Sequence, residues 1–311
     1  MSGGPPSTSI RQGRPPSRRH STSRQSPNRA GNASIRIAVA ISHVVSYAPR
    51  AHVAEDRPPD SPVTLRRSLV VSDPAFETAA HPTLVELPGA RVEAVAVGAA
   101  LGAPADDVLV GAAATEAAVG ARLEDCDVLH LSTHGRLDEL APFASSLVLA
   151  GRDELTVADI AGLRFGTDLA VLSGCDTGRG AATLGGDLIG LTRSLLRSGV
   201  RRTVVSLWPV DDDVAPVLMQ AFYTSLAAGR PCAHALADAQ RQVAGMTRAD
   251  LRAAYEALGG TPEGYSAARR RGARRGPVGL ELDAELRDDE EVPERLGGDA
   301  ERYWAPFVLV G

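Results

Sequence analysis

The chain has 311 residues, 44% apolar and 23% charged, with a net charge of −5. That is a globular composition, and it excludes disorder throughout. There is no lysine anywhere, which excludes a phosphate-binding P-loop, because that loop needs a Lys to reach the β and γ phosphates. No stretch approaches the roughly 18 uninterrupted apolar residues that span a bilayer, so no membrane partner is expected.

The first 54 residues hold eight arginines and no Asp or Glu. Residues 1–34, rich in Ser, Pro, Arg and Gly, carry too little apolar surface to offset the entropy of ordering, and read as a disordered basic tail. With Tyr47 as its one aromatic residue, this region lacks bases' usual stacking partners, and no nucleic acid is expected. The apolar run at 37–45 follows Arg18 and Arg19 at a distance and contains Ser42 and His43, which argues against an export signal. Three cysteines, Cys126, Cys175 and Cys232, form no dense framework, so a reducing compartment, the cytoplasm, is expected.

From about residue 66, short β-rich runs alternate with Ala/Leu-rich segments. The runs at 68–73, 107–111, 127–135, 146–151, 168–174 and 202–208 are mostly continuous apolar, the signature of strands covered on both faces. Helices are predicted between them at 89–101, 114–124, 156–162, 187–198 and 213–228, then near 232–246 and 249–258. This alternation predicts an α/β fold, a mostly parallel sheet with helices on both sides. Residues 259–302 break the pattern with five arginines between Arg269 and Arg275, then ten acidic residues from Glu281 to Glu301, and read as a charged loop. "YWAPFVLVG" at 303–311 reads as a last strand. The resulting division is a tail at 1–34 and one domain at 35–311, with its core at 66–258 and 303–311.

Ligands of an open parallel sheet gather at the carboxyl ends of the strands. Two strands end in reactive side chains there: "VLHLSTHG" in His134 and "AVLSGC" in Cys175. A lone cysteine beside a strand end is usually packing. Paired with a histidine across a crevice it becomes a nucleophile, since the imidazole takes the thiol proton or holds a thiolate–imidazolium pair. Gly135 and Gly174 let a substrate backbone approach, and the N–H groups of Gly135 and Cys175 are candidate oxyanion donors. A metal at Cys126, His130 and His134 would need a helix. The segment reads as strand, placing the two histidines roughly 13 Å apart, so no metal is expected and His130 is assigned to the core. Neither Cys-x-x-Cys nor G-x-S-x-G is present, and no cofactor is expected.

The motifs "VLHLSTHG", "SSLVLAG…LTVADIAGLRF", "DLAVLSGCDTGRG", "GLTRSLLRSGVRRTVVSLWPVDDD" and "YWAPFVLVG" resemble, in order, the CHAT domain, a caspase-like peptidase domain related to separase and the caspases. The resemblance implies a caspase-like three-layer α/β/α sandwich and a cysteine endopeptidase acting on a protein substrate. In it His134 is the general base, Cys175 the nucleophile, and Gly135 with Cys175 the oxyanion hole. Gly174 stands where Ala is common in the family. In separase-like relatives an Asp in the motif after the Trp lines the pocket for the residue before the cleaved bond. The matching residue is Asp212, whose carboxylate would favour Arg through a bidentate pair. Read without the resemblance, Asp211, Asp212 and Asp213 cap the helix that follows. Many family members carry helical repeats that recruit a partner. None is recognisable here, which points to a separate activator or sensor protein. The alternative is a CHAT-fold interaction or regulatory module without turnover, in a bacterial signalling or defence system.

Overall fold

The computed structural model describes residues 46–47, 61–136, 138, 141–174, 186–206, 210–266 and 307–310. The predicted tail, Cys175 and the charged loop beyond 266 lie outside these residues. The strands, in chain order, begin with β1 (Ser46–Tyr47), β2 (Ser68–Pro74), β3 (Val108–Gly111) and β4 (Val128–Ser132). There follow β5 (Gly135–Arg136), β6 (Ser146–Val148), β7 (Glu154–Thr156), β8 (Leu169–Leu172), β9 (Thr203–Ser206) and β10 (Phe307–Val310). The helices are α1 (Pro88–Leu101), α2 (Glu116–Leu123), α3 (Val157–Gly162), α4 (Gly186–Arg197), α5 (Ala215–Ala227), α6 (Cys232–Ala244) and α7 (Arg248–Ala257).

Seven strands form one sheet in the order β1-β10-β9-β8-β4-β2-β3, mostly parallel, with β10 antiparallel to β9. Burial follows the strand period of two. Val70, Val128, Val171 and Val204 face one core with residues of α1, α5, α6 and α7, while Leu69, Val71, Leu129, Leu131 and Leu172 face a second core with residues of α2, α3 and α4. Both faces are therefore covered, which is why these strands read as continuous apolar runs. The result is the expected three-layer α/β/α sandwich.

Two runs end differently from the sequence reading. The one at 127–135 leaves the sheet after Ser132, the last residue of β4 paired with β2. The chain turns aside there, Thr133 Oγ1 donates to the Val148 carbonyl at 2.5 Å, and Gly135 starts another strand. The run at 146–151 does not join the main sheet either. Its first three residues form β6, the centre of a small antiparallel sheet β5-β6-β7 that overhangs the end of β4. Strand order reverses at β2: the chain passes from β2 to the edge strand β3, then back across to β4. A crevice opens at such a reversal, outside the carboxyl ends of the strands.

α1 is fixed above this crevice. Ser72 Oγ donates to the Ala90 carbonyl at 2.6 Å, and Gly89 meets the 210–215 segment so closely that a Cβ built on it would lie 1.7 Å from the Asp212 carbonyl oxygen. Gly120 in α2 is exposed, and a Cβ there meets nothing within 4 Å among the described residues. The same substitution is therefore expected to act in opposite directions. Gly120→Ala should stabilise by about 1 kcal/mol through helix propensity, and Gly89→Ala should destabilise by about 1–3 kcal/mol through overpacking, as read by urea unfolding of both variants.

Candidate active site

His134 lies two residues beyond β4, fully buried. Its Nε2 is 2.7 Å from the Val85 carbonyl oxygen. A carbonyl only accepts, so Nε2 carries the hydrogen, and in the neutral ring Nδ1 is then the basic nitrogen. The ring is held edge-on against Phe76, with centroids 5.6 Å apart at 79°. Phe76 packs in the same manner on His81. One hydrogen bond and one aromatic contact thus fix both the tautomer and the plane of the imidazole.

β8 is the parallel neighbour of β4, and Ser173 continues the ladder by donating its N–H to the Leu131 carbonyl at 2.8 Å. At Gly174 the two backbones touch. A Cβ there would lie 2.5 Å from the Thr133 nitrogen and 2.6 Å from its oxygen, closer than any side chain allows. The described chain stops at Gly174, one residue short of Cys175. The structure therefore brings His134 and the residue before Cys175 to adjacent strand ends. It does not describe the thiol.

Gly135 pairs with Leu147, and the Val148 N–H goes to the His134 carbonyl at 2.9 Å. That pattern makes Gly135 and Leu147 a non-hydrogen-bonded pair, whose own N–H groups point away from the partner strand. The Gly135 N–H thus leaves the open edge of β5. A Cβ at 135 would meet nothing within 4 Å among the described residues.

A small recess opens beside Gly174, lined by Glu93, Ser132, Ser173, Asp212, Leu87 and Val210 among others. None of its described lining residues is basic. Glu93, only 1% exposed, accepts from Ser132 Oγ at 2.9 Å and lies 3.1 Å from His130 Nε2. His130 Nδ1 lies 3.1 Å from the Tyr223 hydroxyl. Burial, then the nearby Glu93 charge, pushes the Tyr223 phenol well above its ordinary range. Its hydroxyl therefore stays protonated. A carboxylate only accepts, so in the neutral ring Nε2 carries the hydrogen that faces Glu93, and Nδ1 accepts from the Tyr223 hydroxyl. His130 is the core histidine that the sequence suggested. The Ser173 hydroxyl is buried without a partner among the described residues.

Asp212 is buried, and its Oδ2 accepts from the Gly89 N–H at 2.9 Å. The carboxylate caps α1, not the helix after it: α5 has Val214 as its N-cap residue and no side-chain cap. Sequence reasoning missed Asp73, Val85, Glu93 and Ser173. Glu93 had a signal, since it shares helical spacing with buried Ala90, Ala94 and Val97. Val85 had none, because it acts through its backbone.

The fold and the His134 edge define a caspase-like α/β protein. The CHAT domain family matches residues 28–311, and the chain belongs to that family. It is 37% identical over 89 residues to tetratricopeptide repeat protein 28 of Mus musculus, across 29% of this chain and 4% of that protein. Against tetratricopeptide repeat protein 28 of Homo sapiens the identity is 26% over 246 residues, across 67% of this chain and 10% of that protein. The chain spans a tenth or less of the length of these curated relatives. No described helix is long and apolar enough to cross a membrane.

Asp213 differs from its neighbour. It is buried 3.3 Å from Arg248 Nη1, and burial, reinforced by Asp211, pushes its carboxyl up to about 7. Between its ordinary 3.8 and about 7, the folded protein holds a proton that the unfolded chain has released. The stabilising contribution is therefore complete below about pH 4 and lost as pH rises through 7. Asp213→Asn is expected to flatten the fall of Tm over this interval, measured by thermal melts at stepped pH.

Proposed function

We propose that the chain is a cysteine endopeptidase that cleaves a protein substrate with Cys175 as nucleophile and His134 as base. One observation carries the reading: His134, fixed through Nε2, directly follows Thr133, whose backbone meets that of Gly174. Cys175 follows Gly174 by one peptide bond, so its Cα is about 3.8 Å further on. In this mechanism Nδ1 takes the thiol proton and the thiolate attacks the scissile carbonyl carbon. The Gly135 and Cys175 N–H groups receive the oxyanion, a contribution of about 3–4 kcal/mol per donor in comparable sites. The imidazolium then returns its proton to the leaving amine, and water hydrolyses the thioester.

The acidic recess beside Gly174 supports a preference for Arg before the scissile bond, with Asp212 as part of its wall. Two carboxylates and a buried hydroxyl complement a planar cationic donor. A separate activator or sensor protein, and a cytoplasmic setting, belong to the same reading.

The test compares wild type, Cys175→Ala and His134→Ala on a peptide library. Cys175→Ala should fall to background and His134→Ala by about 10²- to 10⁴-fold. Equal cleavage by all three would refute the peptidase. Cleavage by the wild type alone, without enrichment of Arg before the cut, would remove only the pocket assignment. Alkylation supplies a second measurement. Cys126 and Cys232 are buried, and burial raises both thiols, Cys232 to about 12. Iodoacetamide on the native protein should therefore label Cys175 and leave those two unmodified until denaturation, as mapped by peptide mass spectrometry.

A further inference from the structure

Asp73 stands out at the reversal point of the sheet. It is the penultimate residue of β2, is buried, and is the one non-glycine among the described residues with a left-handed backbone, φ 42°. The β2–β3 register shifts between Ser72 and Pro74, around it. An L-residue held in this region costs about 1 kcal/mol or more and persists only where its surroundings over-determine it. Here the surroundings are visible. Oδ1 accepts from the Leu87 N–H at 3.3 Å, and Oδ2 accepts from Arg91 Nε at 3.0 Å and lies 2.8 Å from Arg91 Nη2.

Leu87 is the N-cap residue of α1 and supplies no side-chain cap of its own. The caps come from elsewhere. Asp73 takes the Leu87 N–H and Asp212 takes the Gly89 N–H. Between them these carboxylates hold residues 87–89. The strap leading into that turn carries Val85, a residue 54% exposed whose carbonyl orients His134. A half-solvated strap has little apolar packing to hold it, so the placement of its carbonyl depends on where the clamp fixes its downstream end.

We propose that Asp73 is a positioning residue for His134: its carboxylate clamps the start of α1 and the strap before it, so that the Val85 carbonyl meets Nε2 and fixes the tautomer of the ring. Asp73 acts on the base through Leu87 and Val85 and touches no substrate. The inference rests on the peptidase reading for its catalytic meaning, though the clamp itself does not.

The experiment uses full-length protein carrying ¹⁵N-histidine. The His134 ring is assigned by its loss in His134→Ala, and the Nε2–H tautomer is read from its nitrogen shifts. The rate of Cys175 alkylation is measured on the same samples. Asp73→Asn keeps an acceptor for the Leu87 N–H and tolerates the left-handed backbone, so it should retain the wild-type tautomer. Asp73→Ala removes the clamp. It should lose the single tautomer and slow Cys175 alkylation by at least about tenfold, the scale of misplacing a reacting group.

Asp73→Ala with the His134 tautomer unchanged would overturn the proposal. If that variant does not fold, Asp73→Gly, which removes the carboxylate and adopts the left-handed backbone freely, decides in its place: tautomer mixing supports the clamp and an unchanged ring overturns it. The two readings fail separately. Cys175 alkylation that is indifferent to His134→Ala refutes the dyad and leaves the clamp standing. An Asp73-independent tautomer refutes the clamp whatever Cys175 does.

Discussion

Two backbone contacts too close for any side chain set the geometry of the crevice. Gly174 lies on the Thr133 backbone, and Gly89 lies on the Asp212 carbonyl. The first ties the end of β8 to the end of β4. The second ties the start of α1 to the segment that follows β9. Neither contact has a rotamer through which to relax, so the relative placement of the two strand ends and of α1 is a property of the main chain. His134, two residues beyond β4 and held to a carbonyl, inherits that precision. Orientation of this kind accounts for a large part of what an active site supplies.

Below the crevice lies a buried charge with a different logic. Moving a carboxylate out of water costs several kcal/mol unless donors replace the solvent. Glu93 receives Ser132 and faces His130, which is fixed in turn by Tyr223. Two histidines four residues apart thus end in different circumstances. His130, within β4, points into a side-chain network on the α1–α5 face. His134, beyond the strand, is fixed by a backbone oxygen of a strap. The His130 network is made by side chains, while His134 is held by the main chain. Glu93 also lines the recess beside Gly174.

The sheet and its helices were legible because each face of each strand is covered, which leaves continuous apolar runs, and because helix spacing survives in the Ala/Leu segments. His134 and Gly135 were legible from their place at a strand end. Three things were not. The turn after Ser132 falls where β2 becomes irregular, at the left-handed Asp73 that follows the last paired residue Ser72, a fact about a partner strand 60 residues away. The cap that Asp212 supplies reaches back 123 residues to Gly89, and nothing local separates it from a cap on the next helix. Asp73 and Val85 work through main-chain groups, which every residue possesses and no side-chain pattern advertises.

The small sheet resolves a conflict that the proposed oxyanion donor would create. A backbone N–H offered to substrate must be left unpaired by its own protein, and an unpaired row of such groups is an invitation to edge-to-edge association. β5 is two residues long. Its non-hydrogen-bonded register turns the Gly135 N–H outward, and the next residue is already tethered: Arg136 pairs with Glu154 of β7, which also accepts from Ser146 of β6. An edge this short presents one donor and no template. The same brevity explains why Gly135 needs the hairpin above it, since two residues cannot hold a direction without a paired and charge-locked neighbour.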